Sequence, residues 1–174
     1  MTTIRHSLDS DVPQIANIYH HHVLHGTGTF EITPPEIAEM AHRRQDVLSK
    51  GMPYLVAVNG VSVVGFAYCN WFKPRPAYRF SAEDSIYLAP QAAGDGLGRA
   101  LLIELARHAE QAGVRKLIAV IGDSGNAASI GLHRAVGFSD VGVLKSSGWK
   151  FGRWLDVVLM DKPLGSGDIT PATE

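Results

Sequence analysis

The chain has 174 residues, of which 45% are hydrophobic and 19% charged, and its net charge is -1 at neutral pH. That size and balance suit one globular domain with a full core and give no standing attraction to nucleic acid. A lone cysteine, Cys69, excludes an internal disulfide and a cysteine-rich metal centre. The chain has no apolar run near the roughly 20 residues of a membrane span, and no signal-like leader, so we expect a cytoplasmic protein with no membrane partner.

Thr2 to Leu8 reads as a short strand. Asp9, Ser10 and Asp11 supply helix caps, and Pro13 falls in the first turn, where its missing N–H costs little. Ile15, Ile18, Tyr19 and Val23 follow at helical spacing. The run His20-His21-His22, with His25 beyond, does not converge on one ion, because successive helical side chains diverge. No carboxylate stands at ligand spacing, so we expect no metal and read these as partly exposed helix histidines.

Gly26 to Glu31 is a loop. Thr33-Pro34-Pro35-Glu36 has the capping-box pattern and opens a second helix, with Ile37, Met40, Ala41, Arg44, Val47 and Leu48 at spacings of three and four and Gly51 as its cap. Two strands, Tyr54 to Val58 and Val61 to Trp71, flank Asn59-Gly60, a type I′ hairpin signal, and Gly65 predicts a bulge. Phe72 to Phe80 is basic, aromatic and stiffened by prolines. Glu83 to Leu88 is a strand, followed by Gly94-Asp95-Gly96-Leu97-Gly98-Arg99 and a helix to about Gln111, closed by Gly113.

Lys116 to Ile121 reads as a buried strand, Gly122 to Gly125 as a turn, and Asn126 to Val136 as a short helix. Phe138 to Leu144 is a strand, Lys145 to Gly148 a polar loop, and Phe151 to Met160 the last strand. Residues 165–174 are rich in Gly, Ser, Thr and Pro and are expected to be disordered. The order β-α-α-β-β-β-α-β-α-β-β predicts a single α/β (α+β) domain over 1–164 with a mixed sheet.

The glycine stretch is the chemical signal. Glycines uncover backbone N–H groups, and a helix starting there adds unpaired N–H groups and a positive dipole end, which together suit a phosphate or pyrophosphate. The spacing is not that of a dinucleotide fingerprint, since Arg99 stands where the third glycine belongs, and no Gly-Lys-Ser/Thr follows as in a P-loop.

The series of strand, G-x-G-x-G helix start, strand, and Asn126-Ala127-Ala128-Ser129-Ile130-Gly131-Leu132-His133 running to Gly137-Phe138 resembles the GNAT N-acetyltransferases. Thr29-Phe30-Glu31, Pro53 to Ala57, Glu83 to Leu88, and Lys150-Phe151-Gly152-Arg153-Trp154-Leu155-Asp156 are similar to the phosphinothricin and methionine sulfone or sulfoximine acetyltransferases within it. The resemblance implies the acyl-CoA N-acyltransferase fold, a mostly antiparallel sheet with flanking helices and a splayed central strand pair.

It also implies acetyl-CoA as cosubstrate, a small-molecule amine as acceptor, and direct transfer between them. By the resemblance, Gly94, Asp95, Gly96, Leu97, Gly98 and Arg99 hold the pyrophosphate. Ile86, Tyr87 and Leu88 lie along the pantetheine arm, with Asn126 and Ser129 beside it. A backbone N–H near Leu88 faces the oxyanion. Glu83 takes the position of the general base, and His133 the place of a tyrosine that protonates the leaving thiolate. Arg75, Pro76, Ala77 and Arg79, then Glu83, Asp84 and Ser85, with Phe30 and Glu31 opposite, would bind the acceptor. Cys69 reads as a core thiol, not an acyl nucleophile. A homodimer is expected, with the final strands as its surface.

One departure stands in the loop. Family members carry Arg or Gln before the first glycine and often a basic residue after it, where this chain has Ala93 and Asp95. That leaves open a CoA-binding regulatory module with little catalysis. Other acceptors also remain open: a protein N-terminus, a polyamine or an aminoglycoside.

Overall fold

The computed structural model describes residues 2–172. Seven strands form one sheet: β1 (Thr2–His6), β2 (Tyr54–Asn59), β3 (Ser62–Trp71), β4 (Ser81–Leu88), β5 (Lys116–Gly122), β6 (Ser139–Lys150) and β7 (Arg153–Pro163). Their spatial order is β1-β2-β3-β4-β5-β7-β6, and only the central β4–β5 pair is parallel. Four α-helices flank the sheet: α1 (Val12–His25), α2 (Ile37–Ser49), α3 (Leu97–Gln111) and α4 (Ala127–Ala135). None is long and apolar enough to cross a membrane.

Strand alternation sets the two faces. On one, Phe66, Tyr68 and Tyr87 stack together, with Tyr19 of α1 edge-on to Tyr87. On the other, Leu101, Leu102 and Leu105 of α3 are fully buried against β2, β3 and β4. Each such leucine contributes about 2 kcal/mol by removing apolar surface from water.

Several local details differ from the sequence reading. The second helix is capped at Glu36, not Thr33, and no side chain bonds its first N–H groups. Pairing of Asn59 with Ser62 makes Gly60 and Val61 the hairpin's central residues, and only Gly60 has positive φ (61°), the pattern of a II′ turn, not I′. The bulge expected from Gly65 is present: the register opposite it shifts between Ala57 and Val58. The polar stretch Lys145 to Gly148 is a break in register within β6, not a loop between strands.

In the stretch expected from composition to be disordered, residues 165–170 form turns and bends, and Arg115 donates to the carbonyls of Gly167 (2.8 Å) and Thr170 (3.0 Å). Thr173 and Glu174, in the same expectation, lie outside the described residues.

Candidate active site

The site is an opening in the sheet. β4 and β5 pair from Ser81↔Lys116 only as far as Asp84↔Ala119. Beyond that point β4 runs on to Leu88 and β5 to Gly122 without pairing to each other. A cleft of about 710 Å³ fills the splay and reaches the start of α3.

The backbone of β4 supplies polar groups to this cleft. Ala89 N–H bonds the Val64 carbonyl of β3 at 2.9 Å. The Leu88 carbonyl, trans across that peptide, therefore points away from β3 and into the splay. In an extended strand a residue's N–H and C=O point to the same side, so Leu88 N–H and the Ile86 groups face the cleft as well. Tyr87 turns its backbone to β3 and its ring towards α1.

The glycine stretch closes one end. Gly94 (φ 102°) and Gly96 (φ 75°) take the left-handed conformation, and Gly96 is the N-cap of α3. No side chain caps the first N–H groups of α3 and its first turn holds no acid, so its positive end is open. Gly98 is buried between Leu88 and Leu132, where a Cβ would stand 3.4 Å from each. Ala93, Gly94, Gly96, Gly98 and Arg99 line the cleft. Asp95 is exposed and Leu97 packs on the core, and neither is part of the lining. The acid in the loop therefore faces solvent, where its repulsion of an anion is screened. A pyrophosphate fits this cradle.

Glu83 and Asp84 lie on opposite faces of β4. Glu83 lines the cleft on the α1 face, beside Ser85, and no hydrogen bond reaches its carboxylate among the described residues. Burial, and then the neighbouring Asp84, push its pKa up, while Lys73 opposes the shift. Asp84 turns the other way and is buried against α4, where its Oδ2 meets His133 Nε2 at 2.9 Å. His133 Nδ1 donates to the Ser129 carbonyl at 2.7 Å, so the pair shares a proton at Nε2–Oδ2. Burial disfavours the charged ring, but the Asp84 bond and charge outweigh it and raise the His133 pKa. Asp84 Oδ1 is buried without a hydrogen-bond partner. Asp84 and His133 both line the cleft, and both ring nitrogens of His133 are engaged.

Asn126 caps α4, accepting Ser129 N–H at 3.2 Å, and its amide, with Ser129, lines the cleft opposite β4. Cys69 is fully buried outside the lining; burial, then Asp84, raise its thiol pKa, so it is no ready nucleophile.

The far wall is the loop after α1. Lys150, buried at the end of β6, donates to the carbonyls of Gly26 and Thr29, each at 2.8 Å. Phe30 wedges against Gly122 and Gly148, where any Cβ would overlap its ring, and this fixes the loop over the cleft. Glu31 does not line the cleft. It accepts from Tyr19 Oη (2.8 Å) and Arg43 Nη1 (2.6 Å). Arg75, Pro76, Ala77 and Arg79 form an exposed to half-buried turn before β4 and are not in the lining; Arg79 lies over the Phe80 ring.

Residues that sequence reading did not select also line the cleft: Tyr19, Tyr68 and His22. His20, His21 and His25 are exposed, but His22 is half-buried, against Tyr87, and its Nε2 meets the Leu88 carbonyl at 2.8 Å. The divergence of adjacent helical residues that disfavours a metal also directs one histidine inward. The local pattern carries no signal of what that one meets.

The chain's relatives agree with this geometry. The acetyltransferase (GNAT) family model matches residues 16–138. A phosphinothricin N-acetyltransferase from Alcaligenes faecalis is 53% identical over 97% of this chain and 85% of its own length. An L-methionine sulfoximine/L-methionine sulfone acetyltransferase from Pseudomonas aeruginosa is 37% identical over 91% of this chain and 92% of its own. The crystal structure of a phosphinothricin acetyltransferase from Sinorhizobium meliloti in complex with AcCoA superposes with a TM-score of 0.96 at 46% identity, covering 99% of this chain and 94% of that one.

Proposed function

The chain belongs to the GNAT acetyltransferase family, and from that premise we propose that it moves the acetyl group of acetyl-CoA directly to the α-amine of an amino acid or analogue of the phosphinothricin, methionine sulfone or methionine sulfoximine type. The observation that carries this reading is the splay of β4 from β5 beside the open N-terminus of α3. It offers anion binding at one end and free strand groups along the way.

Gly94, Gly96, Gly98 and Arg99 would hold the pyrophosphate of acetyl-CoA, and Ile86, Leu88, Asn126 and Ser129 its arm. Acetyl-CoA supplies the activated acyl group; the chain's own residues do the rest. Glu83, with its raised pKa, takes a proton from the acceptor ammonium on the α1 face. Leu88 N–H stabilises the negative charge that develops on the acyl oxygen. His133, on the opposite face, would be the acid for the leaving thiolate, and both its N–H groups are engaged. Donation from it requires the ring to release one of its two bonds.

Lys73 opposes the raised pKa of Glu83 through its charge, and this supports a role for the basic turn at the acceptor's entry. We assign Arg75 to the acceptor carboxylate there, since a guanidinium matches that group in two parallel bonds. The test is thiol release from acetyl-CoA over a panel of amino acids, methionine sulfone, methionine sulfoximine and phosphinothricin, run with Arg75→Ala in parallel. The variant is expected to raise KM for the amino acid about tenfold while KM for acetyl-CoA holds. No release with any amine, despite CoA binding, would sink the enzymatic reading; equal changes in both KM values would remove Arg75 from the carboxylate.

The cosubstrate's site lies within one chain, but a homodimer fits the sheet edge. β6 is a 12-residue edge strand with exposed Val141, Leu144 and Trp149, and Trp154 of β7 lies against Trp149. A long apolar edge is a template for a second copy. Sedimentation equilibrium is expected to read the dimer mass, and Trp149→Glu to shift it to monomer; a monomeric wild type at micromolar concentration overturns this assignment.

A further inference from the structure

The half-buried histidine of α1 lines the cleft at the end of β4, away from the glycine cradle. His22 Nε2 lies 2.8 Å from the Leu88 carbonyl, across 66 residues of sequence. A carbonyl only accepts, so Nε2 carries the proton. Burial disfavours a charged ring and lowers the His22 pKa, which suits a neutral donor. The Tyr87 ring packs against the imidazole at 5.3 Å and limits its swing.

The bond matters because of where β4 ends. Leu88 is the last residue of the strand, and β5 no longer pairs with it. Ala89 N–H is held by Val64 on the β3 side. On the splay side the neighbouring strand has gone, and His22 supplies the hydrogen bond that it would have made. Leu88 N–H belongs to the preceding Tyr87–Leu88 peptide; both peptides are held on the β3 side, and His22 adds the restraint on the splay side that fixes the end of the strand there.

We propose that His22 is a positioning residue for acyl transfer, its ring N–H holding the Leu88 carbonyl so that the Leu88 N–H stays aimed into the splay at the developing oxyanion. The proposal rests on the reading of Leu88 as the oxyanion donor. Preorganised donors act by being in place before charge develops, so the loss appears in turnover and not in carrier binding.

Steady-state kinetics with the intact protein test it, using His22→Phe, which keeps the ring and removes the donor, and His22→Gln, whose amide N–H reaches a similar place. His22→Phe is expected to lower kcat about tenfold while KM for acetyl-CoA stays within about twofold, and His22→Gln to recover kcat to within about threefold of wild type. CoA affinity by calorimetry and the melting temperature report that both variants are folded. A kcat unchanged in His22→Phe, a loss that Gln does not restore, or a change confined to KM for acetyl-CoA each overturns the proposal. A wild type that acetylates no amine defeats the parent reading instead, and that is seen before either variant is made.

Discussion

Glu83→Gln is expected to lower kcat by at least about 100-fold, with little change in KM for acetyl-CoA. The glutamine matches the side chain in size and keeps a polar group in the cleft, so the loss reports the missing base and not a cavity. The acceptor amine arrives as an ammonium and attacks only after deprotonation. Glu83 is suited to that step because burial, and then Asp84, lift its pKa above the ordinary carboxylate value. In wild type the acid limb of the kcat/KM profile should accordingly lie above the usual glutamate range, near pH 4.3, and Glu83→Gln should abolish that limb. An unchanged rate and profile would remove Glu83 from the role, leaving deprotonation to bulk solvent.

Asp84→Ala should destabilise the fold by about 3 kcal/mol, because removing one partner leaves the other charge buried and uncompensated. For a chain of this size that lowers Tm by roughly 6–12 °C. The sign of the pH dependence follows from His133, whose folded pKa is raised above its ordinary 6.5. The stability from the pair is fully present below that ordinary value and is lost as pH rises through the raised folded value. The gap in Tm between wild type and Asp84→Ala should therefore be widest below pH 6.5 and narrow at higher pH. A gap that does not vary with pH would mean that His133 is neutral in the folded protein. CoA affinity measured on the same variant reports whether the change reaches the cleft, which Asp84 and His133 line together with the glycine cradle.

Both predictions turn on two adjacent residues whose separate roles the sequence does not display. Glu83 and Asp84 were read together as acceptor contacts, yet strand alternation sends them to opposite faces. Which face each takes is legible only once Asn70 and Cys69 are known to stand beside them on β3. The turn at Arg75 was read into the site from its charge and stiffness. In the fold it lies outside the cleft lining, and its part in acceptor capture is a proposal that the KM of Arg75→Ala tests.

What the sequence determined by itself is everything that depends on a few consecutive residues: the order of strands and helices, the glycines with left-handed φ at the start of α3, the Asn126 cap, and the strand that leads into the cradle. These are short-range effects of backbone freedom and hydrogen-bonding reach, and it is the resemblance of the motifs they carry that points to the family. Tertiary structure alone decided the pairings that tune the site. His133 meets Asp84 across 49 residues, Lys150 holds the Thr29 carbonyl across 121, and one histidine of a run of three reaches Leu88 while its neighbours face water. No local propensity encodes such contacts. They exist because the sheet opens between β4 and β5, and the strand groups and side chains left without a neighbour there must find partners elsewhere or be offered to substrate.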